Sequence, residues 1–371
     1  MLSSIKKFIK KEAVLCIAAL CAFATMIFVP PDAAYLHYID WRVLCLLLSL
    51  MGVVAGFKSL GAFQWLTYQL LRRIKNGRVL AVTLVLLPFF CAMLVTNDVA
   101  LLVFVPFTLA LLADLGCERN MIPVIVLQTV AANLGSMATP VGNPQNLFLY
   151  AAYGLTPGEF FSAVLPVAGV SLAALTVASM PALPKVLPQQ GLERAEIKSV
   201  PGMLLYAALF ILCLLTVFRV VPYPITTAVV VLVLLILNRE LLKQIDFMLL
   251  LTFVCFFVVS ENLGRVGQIR SFLQDLLAKN TLLTAVGASQ VISNVPAAVL
   301  LSGFTDNWRE LLSGVNVGGL GTPIASLASL ITLKLYLRWP GAKIGRFMLV
   351  FLAANLVGLV ILLPFSMLII G

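Results

Sequence analysis

The sequence predicts an all-α polytopic membrane protein: an inverted repeat with two re-entrant helical hairpins, two broken helices and about nine to eleven membrane helices. Three observations carry that prediction. Hydrophobic residues make up 61% of the chain and charged residues 11%, and the mean hydropathy of +1.07 is too apolar for a soluble surface. Polar, helix-breaking motifs occur in two matched pairs inside apolar stretches. One pair is Thr96-Asn97-Asp98 followed by Asn133-Leu134-Gly135 and Thr139-Pro140; the other is Ser293-Asn294-Val295-Pro296 followed by Asn316-Val317-Gly318 and Thr322-Pro323. Basic residues, finally, sit between the apolar spans with a strong bias to one side.

Taken in order, apolar segments long enough to span run over 12–29, 41–57, 121–152, 160–182, 203–220, 224–238, 245–263, 312–333 and 345–370. Two further apolar regions, 79–114 and 281–304, carry the first motif of each pair at their middles, which predicts hairpins entering and leaving by one face. Each hairpin contributes an even number of passes, so the parity of the rest is unchanged. Lys6, Lys7, Lys10 and Lys11 precede a first apolar run that continues to Val29 without a small-residue cleavage site, so the first helix is expected to be retained.

Charge gives the orientation. With the N-terminus inside, the far side takes only Arg42, Arg219, Arg265, Arg270, Lys279 and Arg309 of the 25 Lys and Arg, and the cytoplasmic side takes the rest, including Lys58, Arg73, Lys75, Arg119, Arg194, Lys343 and Arg346. Basic residues are retained on the cytoplasmic face, so the C-terminus is expected outside. The same rule explains the net charge of +10 without a nucleic-acid partner.

The duplication extends beyond the short motifs. Tyr38-Ile39-Asp40-Trp41 opens a span followed by an amphipathic stretch, 58–78, ahead of the first hairpin, and Gln244-Ile245-Asp246-Phe247 does the same ahead of 264–280 and the second. Five crossings separate these two starts, an odd number, so equivalent spans face opposite ways. The expected division is a first repeat over 1–182, a cytoplasmic linker over 183–202 and a second repeat over 203–371. The polar run from Pro184 to Pro201, with Gln189, Gln190, Gly191, Glu193, Arg194, Glu196 and Lys198, is the linker's signature. The first half is expected to lack the helix that the second has between Pro224 and Asn238.

At each hairpin tip an Asn or Asp is expected to cap the returning helix, whose free N–H groups and positive dipole end then attract an anion. Asn97 and Asp98 hold that place in the first hairpin and Asn294 in the second, with Pro296 in the following first turn. The helix breaks are expected at Asn133, Gly135, Thr139 and Pro140 in one half and at Asn316, Gly318, Thr322 and Pro323 in the other; broken helices expose carbonyl oxygens suited to a cation. Asp98 is the one acid or base at the middle of an apolar segment. An ionised carboxylate at mid-bilayer costs ~2.5–3.5 kcal/mol on insertion scales, so such a group faces a cavity and a partner, as a proton or sodium coupling site does.

Other chemistries are excluded. The single histidine, His37, cannot build a metal site or a triad, and the cysteines, mostly within apolar runs (Cys16, Cys21, Cys45, Cys91, Cys213, Cys255), show no ligand spacing. A nucleotide-driven pump needs a phosphate-binding Gly-Lys-Ser/Thr loop, which the sequence lacks. An aspartyl enzyme needs two facing carboxylates, and a channel a continuous polar lining. No enzyme and no organic cofactor are expected.

At the paired motifs the chain resembles the ion transporter superfamily, which includes divalent anion sodium symporters, citrate transporters, arsenite permeases and NhaD-type sodium/proton antiporters. Thr96-Asn97-Asp98-Val99-Ala100-Leu101 is similar to the hairpin signature of the arsenite permease branch, and Asn133 through Asn146 to the Gly-Thr-Pro-Pro-Asn region of the anion transporter and antiporter branches. The chain also resembles the short YbiR-type group of bacterial inner-membrane proteins. The resemblance implies a multi-pass inner-membrane protein, a homodimer in which a transport domain carrying both hairpins moves as an elevator. It implies cation ligands at Thr96, Asn97 and Gly142 in one half and Ser293, Asn294 and Ala325 in the other. Solute is expected between the tips, at Thr96, Asn97, Asn143, Pro144, Asn146, Ser293, Asn294, Thr322 and Pro323. The chain departs from the symporters in carrying Thr-Asn-Asp and Ser-Asn-Val where they carry Ser-Asn-Thr twice.

The expected function is therefore ion-coupled secondary transport of a small anion, with sodium or protons as the coupling ion. The alternative is an Asp98-dependent exchanger of sodium or arsenite for protons. The charge count makes a direct prediction: alkaline phosphatase fused to the C-terminus is active in cells and a fluorescent protein fused there is dark. The opposite pattern rejects the orientation.

Overall fold

The computed structural model describes residues 12–72, 74, 76–186 and 195–370. The charges counted at Lys6, Lys7, Lys10, Lys11, Arg73, Lys75 and Arg194, and linker residues Gln189, Gln190, Gly191 and Glu193, lie outside them. Helices α1 (Ala13–Phe28), α2 (Trp41–Ser59) and α3 (Ala62–Leu71) lead to the first hairpin, α4 (Gly77–Val95) and α5 (Asn97–Asp114). The first broken helix is α6 (Met121–Ser136) and α7 (Pro144–Ala152), followed by α8 (Pro157–Ser179), α9 (Val200–Val217) and α10 (Tyr223–Leu237). The second half runs through α11 (Phe247–Arg265), α12 (Gly267–Lys279), the hairpin α13 (Thr281–Ile292) and α14 (Asn294–Ser302), the broken helix α15 (Trp308–Val317) and α16 (Leu327–Tyr336), and α17 (Ile344–Ile370). Seven of the described helices, α2, α4, α5, α8, α9, α11 and α17, are long and apolar enough to cross a membrane.

Local chemistry sets the element starts, and it does so in repeat-related fashion. The Asp40 carboxylate accepts from the Val43 N–H at 3.0 Å to open α2, and Asp246 accepts from Leu249 N–H at 2.9 Å to open α11. Asn280 caps α13 through the Leu283 N–H at 2.7 Å, and a Thr156–Glu159 capping box opens α8. The hairpins differ in reach: the arms of the first have 19 and 18 residues, those of the second 12 and 9. At 1.5 Å per residue the second pair falls well short of the ~30 Å hydrocarbon core.

The order α2–α8 recurs as α11–α17, and the leading helices correct one expectation. α1 packs on α11, and α10 packs on α2, so each repeat's leading helix is placed against the other repeat. The first half thus has a counterpart of α10, namely α1; among the described residues α9 is the helix left without one. The crossing at α1 is pinned by polar contacts: Asn262 Nδ2 donates to Tyr35 Oη at 2.8 Å and Thr25 Oγ1 at 3.1 Å. Arg265 donates to Asp32 at 2.7 Å, which holds the Asp32 carboxyl below the usual carboxylate range. The linker's ends are also held, since Gly77 N–H donates to Lys185 O and Lys198 N–H to Leu60 O.

The half-helices exchange in the same way. α7 packs on α14 of the second hairpin, and α16 packs on α5 of the first. Close approach of α6 to α4 depends on Gly135, where an added Cβ would overlap the Phe89 backbone; at Gly169 on α8 a Cβ meets nothing within 4 Å. Gly135→Ala is expected to destabilise the detergent-solubilised protein by about 1–3 kcal/mol through overpacking. Gly169→Ala is expected to be neutral or to stabilise by ~0.5–1 kcal/mol through helix propensity. Thermal unfolding of the two variants decides the matter; equal melting points reject the close-packed α4–α6 contact.

Candidate functional site between the hairpin tips

Both tips turn through a backbone conformation that side chains disfavour. Thr96 has φ 79° and ψ 150°, and Ser293 has φ 75° and ψ 154°. This region is close to glycine-only and costs about 1–3 kcal/mol per residue, so the surrounding structure must enforce it. The junction residues are thus Thr96 and Ser293, and the expected caps Asn97 and Asn294 are the first residues of α5 and α14. Asn97 still serves its helix, accepting from the Asp98 N–H through Oδ1 at 3.0 Å.

Each tip is tied to its own repeat's break. Thr139 Oγ1 donates to Met93 O, and the repeat-related Thr322 Oγ1 donates to Gln290 O at 3.2 Å. Asn294 N–H donates to Ala325 O at 3.0 Å. The carbonyls freed where α6 ends are capped by Asn146 Nδ2, which donates to Met137 O and Thr139 O at 3.0 Å each. Those freed where α15 ends are capped by Gln290 Nε2, which donates to Gly318 O at 2.8 Å and Leu320 O at 2.9 Å. Gly142, expected near a cation, packs against Ser136 O and Ala92 O.

The two breaks are also bonded to each other in a crossed arrangement. Asn133, near the end of α6, accepts through Oδ1 from Ser326 Oγ at 3.0 Å, at the start of α16. Asn316, near the end of α15, accepts through Oδ1 from Asn143 Nδ2 at 3.1 Å, at the start of α7. When residues 133–146 are laid over 316–329, Asn133 falls on Asn316 and Asn143 on Ser326, so one contact is the repeat image of the other. Amide orientations follow from the backbone donors. Asn143 Oδ1 accepts from Asn146 N–H, which leaves its Nδ2 to donate; Asn316 Nδ2 then donates to Asn146 Oδ1 at 2.7 Å. Asn97 Nδ2 donates to Asn133 Oδ1 at 3.0 Å, and Asn133 Nδ2, buried, is left without a partner.

At the centre lies a cavity of about 10 Å³, room for one water-sized or ion-sized occupant. Its wall is made by Asn97, Asp98, Pro144, Gln145, Asn294, Val295, Ser326 and Leu327, with Leu249. The first eight are the opening residues of α5, α7, α14 and α16, so four helix N-termini converge on one point. Thr96, Asn143, Asn146, Ser293, Thr322 and Pro323 do not reach this cavity. They form the bonded frame behind it, except Thr96, which lines a neighbouring cavity, and Pro323. Gln145, Ser326 and Gln290 were not anticipated. Ser326 could have been found by aligning the two breaks residue for residue, where it falls opposite Asn143.

Two larger cavities correspond to each other through the repeat. One, of about 340 Å³, reaches Thr96 and Asp98 and carries Lys58, Gln244 and Asp246, with Met51 and Ile331 in its wall. The sequence suggested no fixed basic residue near the deep acid, but Lys58, counted among the cytoplasmic charges, shares this space with Asp98. The other, of about 260 Å³, carries Asp40, Tyr153, Ser260 and Glu261. Phe148 and Phe257 stand there where the first cavity has Ile331 and Met51, with ring centroids 5.7 Å apart. The first cavity shares Asp98, Pro144 and Leu249 with the central one, and the second shares no residue with it.

Comparison with known proteins agrees with this architecture. The family model described as Citrate transporter matches residues 1–306. Uncharacterized transporter MJ0456 of Methanocaldococcus jannaschii is 33% identical over 333 residues, 89% of this chain and 90% of the relative. Inner membrane protein YbiR of Escherichia coli is 32% identical over 302 residues, 80% of each chain. Among solved structures, the YdaH transporter of Alcanivorax borkumensis shares the fold, with a TM-score of 0.56 at 16% identity over 91% of this chain and 87% of that one. With a family match over most of its length and relatives aligned across four fifths or more of theirs, the chain is a membrane transporter belonging to the citrate transporter family.

Proposed function

We propose that this transporter carries a small anion, a carboxylate or an inorganic oxyanion, in exchange for the free energy of a sodium or proton gradient. The solute sits between the two tips, and a transport unit bearing both hairpins moves as an elevator in a homodimer. The observation that carries the reading is the convergence of the α5, α7, α14 and α16 N-termini on one cavity. Each helix start brings about half a positive charge, worth ~0.3–1 kcal/mol toward an anion and up to ~2 kcal/mol where water is excluded. The unpartnered Asn133 Nδ2 is a further donor for a solute oxygen once the tips rearrange. Thr96, Ser293, Gly142 and Ala325, which frame the tips, are the proposed neighbours of the coupling ion.

One observation favours the second reading, the Asp98-dependent exchange of protons for sodium or for arsenite. Asp98 puts a carboxyl at the point where the four helix starts converge, so the protein carries its own anion there. Four dipole ends supply roughly 1–4 kcal/mol toward a negative charge. An ionised carboxylate in the membrane costs a similar ~2.5–3.5 kcal/mol. The two terms are of the same order, so an arriving cation or solute shifts whether Asp98 holds its proton.

Both readings are tested in proteoliposomes. Asn97→Ala and Asn294→Ala are each expected to cut gradient-driven uptake at least tenfold, since each removes an amide from the cavity wall; full activity in both variants sinks the two-tip site. Asp98→Asn separates the readings. For an anion symporter it is expected to leave solute binding intact or tighter while altering the dependence of uptake on sodium or pH. For an exchanger it is expected to abolish transport outright. Coupling identical to the wild type denies Asp98 any direct part.

A further inference from the structure

We propose that a groove on the outer face of α6, α8 and α17 is a binding site for one acyl chain of an anionic phospholipid, braced against both helix breaks. The groove has a volume of about 530 Å³ and is lined almost wholly by apolar side chains, among them Pro123, Val126, Ala174, Leu349, Ala353 and Ile361. Its one hydroxyl, Ser171, is already spent on Val167 O at 2.7 Å. No polar group is therefore left to hold a hydrophilic ligand, and a void of this size facing hydrocarbon loses dispersion contacts on every wall.

The shape fits one leaflet. Leu349 and Leu362 mark its ends on α17, a run of about 20 Å at the helical rise, against ~15 Å for half the hydrocarbon core. Charge then selects the headgroup. Arg346 lies one turn before Leu349 and Val350 on the same face of α17, and Arg119 lies one turn before Pro123 at the start of α6. Both are exposed, neither makes an ion pair among the described residues, and Lys343 adds a third cation to the same end; Glu118 is the acid beside them. This end of the groove also belongs to the side where the basic residues accumulate, which is where anionic headgroups are held by Lys and Arg.

The inner wall gives the occupant its leverage. Leu134, on the wall, precedes Gly135, whose contact with Phe89 fixes α6 against the first hairpin. Gly358, also on the wall, backs onto Leu320 in the second break, and Asn355 one turn earlier accepts from the Gly321 N–H at 3.3 Å. A chain in the groove presses on the reverse side of both breaks at once.

The test uses the full-length protein, extracted in detergent, exposed to phosphatidylglycerol or phosphatidylcholine vesicles, and examined by native mass spectrometry for retained lipid. The wild type is expected to keep one phospholipid per chain and to prefer phosphatidylglycerol. Arg119→Gln with Arg346→Gln, both on the surface, is expected to lower that preference by roughly fivefold for each arginine. Ala174→Phe with Ala353→Phe, which fills the groove, is expected to lose the retained lipid. Equal retention by the wild type and the filled variant overturns the site, as does a wild type that keeps none. An unchanged preference in the arginine variant overturns the headgroup assignment. Disulfide formation between Val357→Cys chains shows that a second copy fills the groove and likewise overturns the proposal. Retention is read without any transport, so its failure leaves the anion reading standing.

Discussion

Everything in this molecule depends on how a helix may be interrupted inside a membrane. Backbone N–H and C=O groups released at a break have no water to turn to, and each unsatisfied group costs several kcal/mol in hydrocarbon. Here the released carbonyls are taken by amides, Asn146 for the first break and Gln290 for the second. The starts of α7 and α16 meet those of α5 and α14 at the central cavity, with part of their N–H groups capped by Asn143 and Asn97. The carbonyl ends are thus closed by side-chain amides, and the positive ends of four helices are gathered around one small cavity.

The two halves solve one problem with different residues. Asn133 meets Ser326 where Asn316 meets Asn143, and Asp98 faces the centre where the second half has Val295. Gln290 caps across from a hairpin, while Asn146 caps from within its own broken helix. The bonded frame keeps the two-fold plan and the chemistry at its centre does not. An asymmetric charge on a symmetric scaffold gives the two related cavities different linings, Lys58, Asp98 and Asp246 in one and Asp40 and Glu261 in the other.

Much of this could be read from the chain before any coordinates. The breaks were legible because Thr139-Pro140, Gly318 and Thr322-Pro323 interrupt apolar runs in matching order in the two halves; Gly135, expected at the break, lies within α6 and serves its packing on Phe89. The tips were legible as Thr96-Asn97-Asp98 and Ser293-Asn294 for the same reason. Ser326 and Gln145 were not, since a lone serine or glutamine beside apolar residues carries no signal until its partner is known. Lys58 read as one more loop charge because sequence position does not tell which cavity a long side chain enters. The pairing of α1 with α11 was hidden for a deeper reason: periodicity marks which face of a helix is apolar and never which helix will cover it.

That last pairing sets an order of events during synthesis. The face of α1 that finally meets α11 is made more than two hundred residues before its partner, and at ~5–20 residues per second the wait is on the order of ten seconds or more. During that time α1 has only lipid or the insertion machinery to lie against, and α2 likewise waits for α10. Neither repeat can close on itself as a finished unit. The first half therefore keeps uncovered faces until the second is made: α2 and α1 wait for α10 and α11, and α7 and α5 for α14 and α16.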